Sequence, residues 1–414
     1  MRNMKKISAL VLAASVAFGL LSGCGQSASG TTAAKAAATT AKSAAAATTA
    51  AAAKTTVAAA KTTAAAAKTT AAAKTATTAA KSGSKKLTKV TLSAQPAAHS
   101  LGIYAAKEKG WFEEEGLDVE ILSYISGSPQ LEAVASNAWT VGIMGPPAGI
   151  TGSLKNGLTI VGFSVWDQPS QRLFVRKDSD IAKAGTGKVE KYPKIYGTAD
   201  MWKGKNIICT KGSLGHLQLL ATLKALGLKE ADVNIIHMDM AAGYQAFLAG
   251  QGDAICTWST FTSDALAAGY VQASSAEDAG LKAPSMVTAS EKAMADPELT
   301  QKIINVIFRG TMWANENKDE AAKIYYDVCQ EEGVTCTMEY AKQYLSEHSA
   351  PTIAEYKKMN ENKEFKAILQ NVMDYFIQAG TYTQSDAEKV VAAYNGDMWM
   401  KAIDYYEKNY ANKK

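Results

Sequence analysis

Lys205-Asn-Ile-Ile-Cys-Thr-Lys-Gly-Ser-Leu214 opens a unit that closes on Asp253-Ala-Ile-Cys-Thr-Trp258. Each quoted stretch holds a short apolar run rich in β-branched residues, which reads as a strand. Between them lies an apolar helical pattern over 214–226, stopped by Gly227. An apolar run follows over 233–238, then a second helical pattern over 242–249, stopped by Gly250. A glycine just past a periodic segment is a helix stop. Strand, helix, strand, helix, strand in so short a span predicts a parallel sheet covered by helices.

The same alternation runs upstream. Strands are predicted over 89–93, 119–123, 141–144 and 159–165, and helices over 101–109, 130–138 and 148–155. In Ser126-Gly-Ser-Pro129, Ser128 fits a helix N-cap and Pro129 the first helical position. A strand over 172–176 links the two units, and a late strand covers 285–288. From 297 onward the pattern is helical and rich in Tyr, Lys and Glu. The predicted fold is α/β. It has two lobes, each a mostly parallel sheet flanked by helices, and a helical C-terminal tail.

Upstream of residue 87 the composition changes. Residues 25–86 are almost entirely Ala, Thr, Lys, Ser and Gly, with Val57 the single large aliphatic residue. Such a segment cannot bury enough apolar area to offset its ordering entropy, so it reads as a spacer. Arg2, Lys5 and Lys6 precede an apolar run over 7–21, the parts of an export signal. The run is shorter than the roughly 20 residues of a membrane-spanning helix. Leu21-Ser-Gly-Cys24 resembles the lipobox of bacterial lipoproteins. That resemblance implies cleavage before Cys24, a lipid on its sulfur, and anchoring to the outer face of the cytoplasmic membrane. The expected organisation is a signal peptide over 1–23 and a tether over 24–86. Lobe 1 is expected over 87–174 and 285–414, and lobe 2 over 175–284.

Twelve of the 44 basic residues precede position 87, and all 39 acidic residues follow it. The folded part is therefore acidic, which argues against a nucleic-acid partner, whose binding rests on phosphate neutralisation. Of five cysteines, Cys209 and Cys256 sit in strand-like runs and read as buried thiols. Cys329 and Cys336 enclose a turn at Gly333, where a disulfide is feasible in an oxidising compartment.

In open α/β sheets ligands bind beyond the carboxyl ends of strands, at helix N-termini with unpaired N–H groups. Gly127-Ser128 and Gly212-Ser213 are two such corners. Here the residues reach a family. Leu92-Ser-Ala-Gln-Pro96 and Ala105-Ala-Lys-Glu-Lys-Gly-Trp-Phe-Glu-Glu-Glu-Gly-Leu-Asp-Val119 resemble the opening of substrate-binding proteins of ABC importers. The branch serves nitrate, sulfonate, taurine and thiamine-precursor pyrimidines, and has the type II periplasmic-binding-protein fold. Val141-Gly-Ile-Met-Gly-Pro-Pro147, Lys203-Gly-Lys-Asn-Ile-Ile-Cys-Thr-Lys-Gly-Ser213 and Asp253-Ala-Ile-Cys-Thr-Trp258 extend the resemblance.

The resemblance implies a monomeric clamp that captures a small molecule and docks on a membrane permease, hinged near 172–178 and 282–288. Carried over by position, the ligand-binding candidates of lobe 1 are Gln95, His99, Ser100, Gly127, Ser128, Gly145 and Pro146. Gln168, Ser170 and Gln171 lie near the crossover. Lobe 2 offers Lys211, Gly212, Ser213, His216, Trp258, Ser259 and Thr260. This chain departs from the family at Ser259-Thr260, where an acidic residue and proline often follow the tryptophan. It also lacks an arginine clamp, since Arg172 and Arg176 lie on the crossover strand. A sulfonate-like anion, an organic acid and a heterocycle all stay open as ligand.

The four histidines, His99, His216, His237 and His348, have no zinc-site spacing, and no His-Glu-x-x-His, Gly-x-Ser-x-Gly or Walker pattern occurs. No cofactor and no metal are expected, and no catalysis. Some eukaryotic relatives of the fold synthesise a pyrimidine with a cysteine-rich motif, which this sequence lacks. Three alternatives remain at this point: a ligand sensor using the same clamp without transport, a wall-binding role for the tether, and, behind these, a relative of those pyrimidine-precursor synthases.

Overall fold

The computed structural model describes residues 86–411. The leader, the Cys24 anchor and the tether up to residue 85 lie outside the described residues. Ten strands are described: β1 (Thr88–Ala94), β2 (Leu117–Ser123), β3 (Val141–Met144), β4 (Thr159–Trp166), β5 (Arg172–Val175), β6 (Asn206–Cys209), β7 (Asn234–His237), β8 (Ala254–Thr257), β9 (Val271–Ser275) and β10 (Pro284–Ala289). They form two five-stranded sheets, ordered β2-β1-β3-β10-β4 and β7-β6-β8-β5-β9.

Each sheet has a parallel half and an antiparallel half. β1 runs parallel to β2 and β3, and β6 runs parallel to β7 and β8. β10 lies antiparallel between β3 and β4, and β5 antiparallel between β8 and β9. The reversal has a simple cause. The chain passes between sheets at β4–β5 and again at β9–β10, and neither link holds the long helical crossover that parallel neighbours require. β10 is buried along its whole length, as suits a central strand covered on both faces.

The helices used below are α1 (Leu101–Glu108), α2 (Gly127–Ala135), α3 (Pro146–Lys155), α4 (Leu214–Ala225), α5 (Met240–Leu248), α6 (Ser259–Ala267), α7 (Pro297–Glu316), α8 (Lys318–Glu331), α9 (Met338–Glu347), α10 (Ile353–Glu361), α11 (Glu364–Gln378), α12 (Gln384–Ala393) and α13 (Asp397–Tyr406). One expectation is corrected. The N-cap of α2 is Ser126, not Ser128, and Ser126 makes no side-chain cap bond. Ser128 falls in the first turn and is exposed. Likewise α3 starts at Pro146, because proline's fixed φ suits the first helical position.

The C-terminal helices pack into both sheets' layers rather than trailing from one. α13 lays Trp399 on β4, where a Cβ at Gly162 would come within 2.5 Å of the indole. The Trp399 ring meets Phe308 of α7 edge-on, at 5.1 Å between centroids. α11 covers α4: Phe376 lies 5.9 Å from the His216 ring, and Tyr375 lies under the Lys224 ammonium at 4.6 Å. With the sheet on its other side, α4 is buried continuously from Leu214 to Leu223.

The links between the sheets, 167–171 and 276–283, are bonded to one another. Asp167 N–H donates to Ala283 O (3.1 Å), and Ala283 N–H donates to the Gln168 side-chain oxygen (3.1 Å). Strand pairing continues on either side, Trp166 with Pro284 and Arg172 with Ser275. The two links thus form a doubled ribbon, a few residues earlier than the hinge positions expected from sequence.

Candidate functional site

The centre of the junction is a buried carboxylate. Asp167 follows β4 at the start of the first link and is almost wholly buried. Its Oδ2 accepts from Ser285 Oγ at 2.7 Å and lies 3.3 Å from His99 Nδ1. Its Oδ1 faces His348 Nε2 at 4.0 Å. Burial pushes the Asp167 carboxyl up, yet the two imidazoles and the Ser285 hydroxyl outweigh it and hold the pKa below the ordinary value. Three chain regions far apart in sequence therefore meet on one side chain.

Helix α9 supplies the third region. Its Tyr344 hydroxyl accepts from Ala98 N–H at 3.4 Å, which ties the helix to the lobe 1 turn at 98–100. Ser259 has φ +48°, a left-handed conformation a serine adopts only under constraint. Arg172 at the head of β5 pairs with Glu347 at the end of α9 at 2.7 Å. The His348 ring packs on Tyr344 at 4.2 Å, and its Nδ1 bonds Tyr344 O at 2.7 Å.

Two helix N-termini face each other across the junction. A Cβ at Gly145, the N-cap of α3, would lie 3.9 Å from Leu214 at the first turn of α4 and 4.0 Å from the Asp167 carboxylate. The α2 corner joins them, since a Cβ at Gly127 would strike Ala148 of α3 at 2.3 Å. Trp258 lies over Gly215 in the first turn of α4, with ring atoms 3.3 Å from where a Cβ would be. Pro146 is buried beside Gly145.

The remaining sequence-predicted residues are placed as follows. Gln95 donates to Gln130 at 2.5 Å, and its N–H donates to Ser100 Oγ at 3.0 Å. Gln168 accepts from Ala283 of the second link, while within the first link Gln171 donates to Ser170 Oγ (2.5 Å) and Ser170 Oγ donates to Asp167 O (3.1 Å). Gly212 takes φ +78°, which its missing side chain permits, and gives its N–H to His216 Nδ1 at 3.1 Å. Ser213 caps α4 by accepting from His216 N–H. Lys211 pairs with Glu230 at 2.9 Å, and His216 faces the same carboxylate at 3.3 Å. The structure gives Thr260 a backbone position at the start of α6 and no described side chain.

Sequence reading missed Asp167, Gln130, Tyr344 and His348. Gln130 is wholly buried and donates to Ser93 Oγ (2.8 Å) and to Ile143 O (3.1 Å), which fixes the ends of β1 and β3 beneath the site. A buried amide spanning two strands was signalled only by a lone glutamine on an otherwise apolar helix face. Cys329 and Cys336 adjoin one another as free thiols.

The histidines make stability pH-dependent. Burial holds the His348 pKa below the ordinary 6.5, with Asp167 opposing, and the same holds for His216 opposed by Glu230. Below 6.5 the unfolded chain binds protons that the folded chain refuses, so stability is complete above that pH and falls beneath it. Asp167 has the lowered pKa of a paired acid, and its contribution is lost only below the usual carboxylate range, about pH 4. Tm is expected to fall between pH 7 and about pH 5, and His348→Gln should flatten the slope of that fall. An unchanged slope in the variant would show that His348 does not titrate with unfolding.

This is the two-lobed architecture of periplasmic binding proteins. The aliphatic sulphonate binding protein of Escherichia coli superposes with TM-score 0.57 at 18% identity, over 73% of this chain and 91% of that one. The nitrate-binding protein of Synechocystis superposes with TM-score 0.61 at 16% identity, over 78% and 90%. A family model described as "NMT1/THI5 like" matches residues 97–321, more than half of the chain, and the chain belongs to that family. A Brachyspira hyodysenteriae protein named as an ABC transporter periplasmic binding protein is 30% identical over 174 residues, 42% of this chain. The chain spans about half the length of that relative, 49%. A Bacillus subtilis protein named as an aliphatic sulfonates-binding protein is 27% identical over 59% of this chain and 70% of its own length.

Proposed function

We propose that this chain is the extracytoplasmic solute-binding protein of an ABC importer. It captures a small organic molecule between its lobes and delivers it to a membrane permease, without chemistry on the ligand. The observation that carries this reading is the meeting of the α3 and α4 N-termini, one from each sheet, beside a doubled ribbon that can act as a hinge. The relatives named above, which are binding proteins, support it. So do the export-signal pattern and lipobox-like Cys24 of the sequence, which suit a protein held at the outer face of the cytoplasmic membrane. We divide the lobes at the two links.

The ligand we infer is an uncharged heterocycle rather than an oxyanion. Oxyanions bind at helix ends through backbone N–H groups. Here Pro146 and Pro147 remove two such donors from α3, and Pro129 removes one from α2. The Gly212 N–H is given to His216, and Lys211 to Glu230. Arg172 is held by Glu347 and Gln272, and Arg176 by the carbonyls of Phe247, Gln251 and Gly252. The Asp167 carboxylate, 4.0 Å from where a Gly145 Cβ would lie, disfavours an anion at that corner. Trp258 supplies an aromatic face for a planar ring.

A thermal-shift panel of pyrimidines, flavins, alkanesulfonates, nitrate and carboxylates tests both statements. A ligand at 100 times its Kd is expected to stabilise by about 2.7 kcal/mol. A heterocycle alone raising Tm supports the reading. Stabilisation by sulfonates or nitrate overturns the ligand class. No response across the panel, together with no permease-dependent uptake, overturns solute capture.

A further inference from the structure

Two cysteine pairs touch among the described residues, and they differ in access. Cys209 ends β6 and Cys256 lies in β8, neighbours across parallel strands, and both are sealed at 1% and 0% exposure. Burial pushes the Cys256 thiol far up, and both sulfurs are shut away from any reagent in solution. Cys329 is equally buried, but its partner Cys336 is half-exposed.

The turn between Cys329 and Cys336 is built to hold them together. α8 ends at Glu331, Gly333 takes φ +68°, and Val334 N–H donates to Cys329 O at 2.8 Å. The Gln330 side chain then reaches forward and donates to Cys336 O at 3.3 Å. Both cysteines pack into the cluster of Tyr325, Tyr344 and Ala98 between α8, α9 and the 98–100 turn. Stacking of Tyr344 on Tyr325 of α8 (5.0 Å) fixes α9 against α8, and Tyr340 one turn earlier in α9 stacks on Tyr344 (5.6 Å).

We propose that Cys329 and Cys336 form a disulfide once the protein is exported, and that this staple fixes the α8–α9 hairpin that carries Tyr344 and His348 to the hinge. The proposal rests on the export reading above, because such bonds persist in oxidising compartments. The partition of charge between the thiols suits it. Contact with Cys329 holds the Cys336 thiol below its ordinary pKa, while contact with Cys336, then burial, pushes Cys329 up. Cys336, the more exposed of the two, is the sulfur an external oxidant can reach, and Cys329 is the buried partner that closes the bond.

The chemistry is thiol–disulfide exchange with an extracytoplasmic thiol oxidase carrying an active disulfide. Cys336 Sγ attacks one oxidase sulfur, and the other leaves as a thiolate, giving a mixed disulfide. Cys329 then loses its proton and attacks Cys336 Sγ, expelling the first oxidase sulfur. The pair is oxidised by two electrons, the oxidase is reduced to a dithiol, and the two protons end on it.

The full chain, taken from an exporting host and alkylated before lysis, is expected to yield a Cys329–Cys336 cross-linked peptide two hydrogens lighter than the dithiol. Cys209 and Cys256 should alkylate only after unfolding. Reductant should lower the wild-type Tm by roughly 5 °C and leave the Tm of Cys336→Ser unmoved. A second arm equilibrates purified reduced protein with glutathione and its disulfide. Dithiol in exported protein together with dithiol in oxidised glutathione overturns the pairing. Dithiol in the host with closure in glutathione overturns the export reading instead, and supports the geometry.

Discussion

Asp167→Ala is expected to destabilise the protein by about 3–5 kcal/mol, the range for removing one partner of a buried charged cluster. The carboxylate is the shared acceptor of Ser285 and the neighbour of two buried imidazoles. Without it the Ser285 hydroxyl loses its bond. His99 loses the one acidic side chain within ion-pair distance of it among the described residues. His348 keeps its bond to Tyr344 O but loses the charge that opposes its desolvation. Asp167→Asn keeps the shape and one acceptor oxygen, so about 1–3 kcal/mol is expected. Denaturant unfolding of the three proteins, with slopes compared, gives these values. A loss below about 1 kcal/mol for the alanine variant would mean that water replaces the carboxylate and that the cluster is not the hub of the junction.

The consequence reaches function through the ribbon. Asp167 N–H and Ala283 O tie the two links, and Ser285 Oγ ties the return strand to the same residue. A clamp closes usefully only if its hinge bends as a unit. Loosening one link from the other would let the lobes shear, and would cost ligand affinity as well as stability.

How much of this was legible in sequence follows from which contacts are local. The 205–258 unit was readable because each strand, helix and glycine stop is set by its own neighbours: Gly227 and Gly250 take positive φ where a helix must end. The late strand was readable as a strand, but its reversed place between β3 and β4 was not, since that depends on the path of the second link. The corner glycines were found from capping chemistry. Asp167 was invisible because its partner Ser285 is 118 residues away, and Tyr344 because it bonds Ala98 across 246 residues. Lys211 and His216 look like free ligand groups in sequence. Only the fold brings Glu230 against both. A polar side chain's availability is set by its long-range partners, and a single sequence does not list them.

Gly310→Ala is the second large effect. α1 and α7 cross at Gly102 and Gly310, both buried. A Cβ on Gly310 would lie 2.0 Å from Gly102 O and 3.1 Å from Gly102 Cα. These are backbone atoms, so no rotamer change relieves the collision, and the helices must separate. Alanine's better helix propensity returns only about 1 kcal/mol. Overpacking against rigid backbone outweighs it, and a net loss of about 3 kcal/mol is expected. Gly149→Ala makes the contrasting case. Its Cβ would meet Met286 Sδ at 2.6 Å, and the flexible thioether can swing away, so about 1 kcal/mol is expected. The difference between the two variants separates backbone collision from loss of glycine as such. α1 also continues directly from the turn that holds His99, so pushing it off α7 should draw that imidazole from Asp167. The Gly310→Ala protein is therefore expected to lose affinity for any ligand found in the panel, while Gly149→Ala keeps it. Equal Tm values for the two variants would show that the helix crossing is looser than its geometry implies.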